Sequence, residues 1–248
     1  MVDSVILYLG FGIVFVGALS ILWPLRFVRI RTRQRGAIVA AGGALVVVVV
    51  CALPVQTKRI SPPTTKLDEW MPTWQFDERH SIHIDATPEK IFEAIHAVTA
   101  DEIFLFRTLV AIRRCCRPGP ESIMNAPATK PLLDVATETT FVYLVDDVPR
   151  EIVVGTVINA PRGIQKPAKL TPEIFHKTLL PGIVLATMNY LVTPNSNGGS
   201  TVSTETRVYG NNDAAVRRFA VYWRIIHPGS GIIRWSWLRA IKRRAEPR

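Results

Sequence analysis

The sequence predicts a mixed α+β chain in which two apolar helices of membrane length precede a strand, short helices, an antiparallel meander and a long C-terminal helix. Three observations carry this. Two uncharged apolar stretches, Val5 to Trp23 and Ala37 to Val55, occupy most of the N-terminal region. Further on, two pairs of β-rich runs are each joined by turn-forming residues. Near the C-terminus, Phe219, Tyr222, Trp223 and Ile226 make one apolar stripe at helical spacing.

Each apolar stretch matches the ~17 to 25 residues that cross a hydrocarbon core of ~30 Å. Between them Arg26, Arg29, Arg31, Arg33 and Arg35 supply positive charge, and no acid occurs between Asp3 and Asp68. A signal peptide needs a basic start, a shorter apolar run and a small-residue cleavage site, whereas Met1-Val2-Asp3-Ser4 is not basic and Trp23-Pro24-Leu25-Arg26 is no such site. The valines of the second stretch suit a strand, but its unbroken length exceeds what soluble strands use. The expectation is therefore a two-helix transmembrane hairpin over residues 1–55, in the cell membrane, with the lipid bilayer as partner. Positive residues stay inside, so the arginine turn is expected in the cytoplasm and the soluble domain outside it. Lys58, Arg59 and Lys66 count against that orientation.

Residues 56–73, with Pro62-Pro63 and Thr64-Thr65, read as a polar, proline-rich linker. Residues 74–248 are enough for one domain with its own core, and they hold no internal repeat. Ile82 and Ile84 alternate with His83, the period of a half-buried strand. Thr87-Pro88-Glu89 then starts a helix carrying Ile91, Phe92 and Ile95. Thr99 and Glu102 form a capping box, which predicts a second helix from there through Ile103, Phe106, Leu109 and Val110, ended by Pro118 and Pro120. Val135 to Val145 pairs with Glu151 to Ile158 across Asp146-Asp147-Val148-Pro149, and Ala186 to Val192 pairs with Thr201 to Tyr209 across Pro194 to Gly199. A loop, Asn159 to Leu170, and a short helix from Thr171-Pro172-Glu173 to about Pro181-Gly182 lie between the hairpins. The long helix is expected to kink or break at Pro228-Gly229-Ser230-Gly231, with Ile233, Trp237 and Ile241 resuming its spacing.

Several local stretches sharpen this order. Ala86-Thr-Pro-Glu-Lys-Ile-Phe92 follows the first strand; Asp101 to Leu109, Val154-Gly155-Thr156, and Tyr222-Trp223-Arg224 with Pro228-Gly229-Ser230 lie further on. With these, residues 75 to 246 resemble the helix-grip fold of the START/Bet v1-like (SRPBCC, polyketide-cyclase-like) superfamily, in a membrane-anchored bacterial branch. The resemblance implies a curved antiparallel sheet around the long C-terminal helix. Between sheet and helix it implies an apolar cavity, which family members use for lipids, sterols, aromatic polyketides or hormones. By alternation Thr139, Phe141 and Tyr143 share one strand face and Met188 and Tyr190 another, and with Phe219 and Trp223 of the helix they are the candidate cavity residues. The same residues could instead close the cavity as ordinary core.

No catalytic motif is present, and superfolds host many functions. His80 and His83 point to opposite strand faces, so no shared metal site is expected, and no cofactor is implied. His96, His176 and His227 read as surface or core histidines. Cys115 and Cys116 are adjacent, a spacing unfavourable for a mutual bridge, and are expected to pack as small hydrophobes, with reactivity or lipidation as the alternative. The formal net charge of +10 is concentrated in the arginine turn and in Arg234, Arg239, Lys242, Arg243, Arg244 and Arg248 beside Trp235 and Trp237. Of these, Arg239, Lys242 and Arg243 join the turn arginines as candidates for a membrane surface, although a solvated helix end accounts for them too. Nucleic-acid binding is not expected. The expected function is non-catalytic binding of a lipid or other apolar small molecule. Two alternatives stay open: a cyclase or aromatase using Tyr143 or Tyr190 as general acid, and a partner-binding module with a filled core.

Overall fold

The computed structural model describes residues 2–23, 25, 30, 32–159, 170–177 and 182–246. They form two units, Met1–Val55 with Arg217–Pro228, and Gln56–Val216 with Gly229–Arg248.

The first unit is built on two helices, α1 (Val2–Leu22) and α2 (Arg33–Ala52), each long and apolar enough to cross a membrane. Small residues at a helix contact let the two backbones approach closely. The buried positions of α1 include Gly10 and Gly17, and those of α2 Gly36 and Gly43. A methyl group on Gly17 would sit 2.4 Å from the Ala40 amide nitrogen, and one on Gly43 would sit 2.7 Å from that of Val14. Backbones this close tolerate no side chain. Thr32 caps α2, accepting from the Arg35 amide, and Arg33 and Arg35 are exposed in its first turn. Arg26, Arg29 and Arg31 lie outside the described residues, as does Arg248. Residues 217–228 complete the unit. Tyr8 donates to the Ile225 carbonyl at 2.8 Å, and Arg224, 5 % exposed, donates to the Leu53 carbonyl at 3.1 Å with Asp3 at 3.5 Å.

The second unit is α+β. It opens with β1 (Lys58–Arg59), α3 (Lys66–Trp70) and β2 (Thr73–Trp74), the two strands pairing with each other. Then come β3 (Phe76–Ile84), α4 (Pro88–Ala97), a 3-10 turn at Ala100–Glu102, α5 (Phe106–Arg113), α6 (Leu132–Thr139), β4 (Phe141–Asp147), β5 (Glu151–Asn159), α7 (Pro172–Lys177), β6 (Val184–Pro194) and β7 (Ser200–Gly210). α8 (Asp213–Ala245) closes the chain. The five long strands form one antiparallel sheet in the order β3-β7-β6-β5-β4. This sheet with the long C-terminal helix is the expected α+β class, consistent with a helix-grip order.

Both faces of the sheet are covered. On the inner face Ile91, Phe92 and Ile95 of α4, Leu132, Leu133 and Val135 of α6, and Trp237, Leu238 and Ile241 of α8 share one cluster with Ile84, Ile152, Tyr190 and Val202 of the sheet. On the outer face Leu67, Met71 and Trp74 pack with Leu144, Val153 and Phe175.

The outer cluster corrects the expectation that residues 56–73 are an unpacked linker. Thr65 and Asp68 make a reciprocal capping box on α3, and Leu67 is fully buried. Polar groups hold the helix down. Glu151, itself buried, accepts from the amides of Lys66 (2.8 Å) and Leu67 (3.2 Å) and from Asn189 (2.7 Å). Arg207 meets Asp68 at 2.7 Å, Glu205 at 2.6 Å and the Met71 carbonyl at 3.1 Å, and stacks over the Trp74 ring. Burial pushes the Asp68 carboxyl up, but the Thr64 amide and hydroxyl, Arg207 and the Thr65 amide outweigh it and hold it at about 2.

Other expectations change too. The run Val135 to Val145 is not one strand: Leu132–Thr139 is helical because Leu132, Leu133, Val135 and Ala136 bury one helical face, so packing overrides the strand propensity of valine and threonine. The second helix does not run from the Thr99/Glu102 box, which caps only the 3-10 turn. Leu105 adopts a left-handed conformation (φ 58°) before α5 begins. Thr87 makes no cap bond to an amide. Cys115 and Cys116 are exposed rather than packed. The loop from 160 to 169 and the end of the helix at 178–181 lie outside the described residues. Pro228 does not end the long helix, which continues through it; the Pro228–Gly229 step is instead where α8 passes from one unit to the other.

Candidate functional site

Strand register sets which side chains share the inner face, because residues directly opposite on neighbouring strands point the same way. One row across all five strands reads Tyr143, Val154, Met188, Thr206, Glu78. The next reads Ile152, Tyr190, Thr204, His80 across β5, β6, β7 and β3. The face therefore grades from apolar at the β4–β5 side to polar at the β7–β3 side.

Four of the candidate cavity residues meet on this face. Phe141 and Tyr143 from β4 are partly buried against the core, while Met188 and Tyr190 from β6 lie inside it. Thr139 does not join them: it is the last residue of α6, and its hydroxyl donates to the Val135 carbonyl at 2.6 Å. Nor do Phe219 and Trp223. They belong to the part of α8 in the first unit, where Phe219 stacks on Tyr222 and Trp223 and Trp223 on His227. The helix residues in the inner cluster are Ile233, Trp237, Leu238, Ala240 and Ile241. Both halves of the helix carry a stripe of similar spacing, so spacing alone did not tell which half meets the sheet.

The helix also brings polar groups that sequence reasoning did not assign to the site. Ser230 donates to Glu78 at 2.6 Å, and the other Glu78 oxygen bonds His80 at 3.1 Å. Gly231 makes room there: a methyl group would fall 2.8 Å from the same carboxylate, which would have to shift. One turn further, Arg234 contacts the Met188 sulfur and lies beside the Tyr190 hydroxyl. Trp237, 2 % exposed, stacks edge-on against Tyr190 at 5.6 Å between ring centroids.

Several of these polar atoms are unsatisfied. The Tyr190 hydroxyl, the Thr206 hydroxyl and the Trp237 indole nitrogen are buried with no hydrogen bond of ordinary geometry among the described residues. Such groups normally find partners, so a cluster of them wants an explanation. Burial pushes the Tyr190 hydroxyl well above the usual phenol range, with Arg234 pulling the other way. Burial likewise depresses Arg234, which Tyr190 and Glu78 counter and Arg113 reinforces. Tyr143 is pushed up to about 12, by burial first, with Asp134 and Asp146 adding to it against a bond from Thr137.

The basic residues near the C-terminus are engaged within the domain. Arg239 stacks on Trp235 at 3.9 Å, Lys242 donates to the His83 carbonyl at 2.9 Å, and Arg243 donates to the Glu102 carbonyl at 2.6 Å. Among the described residues no group of three or more His, Cys, Asp and Glu side chains could hold a metal ion. His83 pairs instead with Asp85 and Asn195 on the exposed side of β3.

The signals for the missed residues were present. Glu78 and His80 fall on the same strand period as Ile82 and Ile84, and Arg234 and Trp237 lie one turn apart on the stripe that begins at Ile233.

No family model matches the chain, and no curated protein is found to match it. Among solved structures it is similar to the di-domain ARO/CYC BexL from the BE-7585A biosynthetic pathway, 16 % identical, with 87 % of this chain and 58 % of that one covered and a TM-score of 0.32. It is also similar to the di-domain ARO/CYC StfQ from the steffimycin biosynthetic pathway, 12 % identical, with 68 % and 50 % covered and a TM-score of 0.26. The chain thus spans 50 to 58 % of the length of these matched chains.

Proposed function

We propose that this chain is a membrane-held protein whose second unit binds an apolar small molecule or lipid on the inner face of its sheet. The observation that carries the reading is the state of that face. Phe141, Tyr143, Ile82 and Ile233 pack against the inner cluster yet stay only partly buried, and the same face carries polar groups that lack partners among the described residues. Mostly apolar walls with a few convergent polar groups are the usual make-up of a ligand site. Membrane residence is supported by the two apolar helices and by Arg33 and Arg35, which stand in the first turn of α2 where the helix dipole disfavours cations. A positive turn kept on the cytoplasmic side explains that placement, with the second unit outside.

The phenols run the wrong way for acid catalysis. A general acid works best with a pKa near the operating pH, whereas Tyr143 and Tyr190 are both raised. Binding rather than turnover is the function that these groups favour.

The test is native mass spectrometry of the full chain released from detergent, before and after organic extraction. A co-purifying apolar mass that extraction removes is expected, and its mass identifies the ligand class. An unliganded mass that persists after incubation with total lipid extract would overturn the reading in favour of a module with a filled core.

A further inference from the structure

We propose that Arg217–Pro228, the part of α8 in the first unit, is a third membrane element: a helix in the bilayer interface at the end where α1 begins and α2 finishes, with its outward face against lipid. This rests on the membrane residence proposed above and adds a surface to it.

Depth selects the partner. Gly17 lies against Ala40 and Gly43 against Val14, so the two apolar helices run antiparallel, and the start of α1 stands at the same bilayer boundary as the end of α2. Arg224 reaches both ends: its Nη2 donates to the Leu53 carbonyl at 3.1 Å, and its Nε lies 3.5 Å from the Asp3 carboxylate. The next carbonyl, that of Ile225, accepts from the Tyr8 hydroxyl. At ~1.5 Å per residue, Tyr8 lies about 9 Å inward of the start of α1. Side chains on a helix lean toward its N-terminus, so this bond sets Ile225 somewhat short of that depth. Interfacial helices sink their apolar face ~5 to 10 Å into the boundary between headgroups and acyl chains, which is the same range.

The faces of the segment fit that setting. A surface helix in water turns its apolar stripe inward and its charges outward. Phe219 and Ala220 do fill the inner side, but the charged Arg224 is buried with them, while Val221 and Ile225, one turn apart, face outward. The outward stripe opens with the exposed Arg217 and Arg218, suited to phosphate headgroups, and turns apolar from Val221 onward. Single exposed apolar residues are ordinary on a water-washed surface. Ile225, however, stands at the level of Val5 and Leu9, the exposed residues of α1 that flank Tyr8 in sequence. Tyr222 and Trp223 are partly exposed in the same segment, and Trp23 is exposed at the opposite end of the hairpin. Aromatic side chains thus mark both boundaries, as they do at membrane–water interfaces.

The test is nitroxide power saturation on the full chain in vesicles of phosphatidylcholine and phosphatidylglycerol. Labels are placed singly at Val5→Cys, Leu9→Cys, Val221→Cys, Ile225→Cys or Glu93→Cys, with Cys51→Ala, Cys115→Ala and Cys116→Ala as background. Oxygen concentrates in lipid and a nickel chelate in water, so the ratio of the two accessibilities reads depth. The ratio at Ile225 is expected between those at Val5 and Leu9, and that at Val221 above the ratio at Glu93, an exposed position on α4. A ratio at Ile225 equal to that at Glu93, with Leu9 still in lipid, overturns the interfacial helix and leaves the hairpin in the membrane. A ratio at Leu9 equal to that at Glu93 overturns both. The unaltered chain gives an independent answer. A phosphatidylcholine with a carbene precursor in its acyl chain should label the tryptic peptide 219–224 together with the hairpin. A labelled hairpin beside an unlabelled 219–224 overturns the proposal even if a cysteine variant fails to fold.

Discussion

The two faces of the sheet bury polar groups in opposite ways. On the outer face Glu151, Asn189, Asp68 and Arg207 are interlocked: each charge has an opposite charge or several amides within hydrogen-bond reach, and the result pins α3 to β5, β6 and β7. On the inner face Tyr190 and Trp237 are buried as deeply, and their polar atoms, with the buried hydroxyl of half-buried Thr206, are left open. Burying a polar group costs free energy unless it is paired. A closed network marks a place where the fold holds itself together, and the open one is where the ligand proposed above would supply the missing partners.

The contrast can be broken most forcefully at Arg207. Replacing it with alanine strands the Asp68 and Glu205 carboxylates in the interior, a change worth about 3 to 5 kcal/mol for a buried pair. Chemical unfolding of the full chain in detergent should show a loss of that size; a loss below about 1 kcal/mol would mean the outer network is not holding α3. A smaller effect follows from pH. Asp68 titrates at about 2 in the folded chain against an ordinary 3.8, so its folded value is depressed. The stabilisation is fully present above pH ~4 and is lost as pH falls toward ~2, in total about 2 kcal/mol. Unfolding free energies measured across that window should fall for the unaltered chain and stay flatter for Asp68→Asn. The smallest effect belongs to the inner face. Tyr190→Phe removes a hydroxyl that has no hydrogen bond of ordinary geometry, so stability should change by less than about 1 kcal/mol or rise. A loss above about 2 kcal/mol would show that the hydroxyl is satisfied and that the two faces are alike.

Much of this architecture was legible in the sequence, and what was not has identifiable causes. Element order survived because strand alternation at Ile82 and Ile84, the proline at the start of α4 and the glycine-rich turn before β7 are local signals. The helix at Leu132–Thr139 was misread as strand because its valine and threonines favour strands and only tertiary burial decides otherwise. α3 was overlooked because two prolines dominated the composition of its neighbourhood, although Thr65 and Asp68 spell a capping box. In the candidate site, alternation brought Phe141, Tyr143, Met188 and Tyr190 to one face correctly. It does not choose between the two halves of a continuous amphipathic helix, and the half that packs on the sheet is the one with Ile233, Trp237 and Ile241, not the one with Phe219 and Trp223. In the apolar hairpin, the seven-residue spacing of Gly10 and Gly17, repeated at Gly36 and Gly43, was visible as composition, but its meaning depended on knowing that the helices touch there.

The docking of α3 also decides where the protein can be cut. A soluble fragment begun at residue 74 would shed Leu67 and Met71, expose Val153 and Phe175 to water, and leave Glu151 without its two amide donors and Arg207 without Asp68. Excision at Gln56 keeps every one of these partners on the same piece of chain. What composition marks as a dispensable tether is the first structural element that any recombinant version of the domain has to carry.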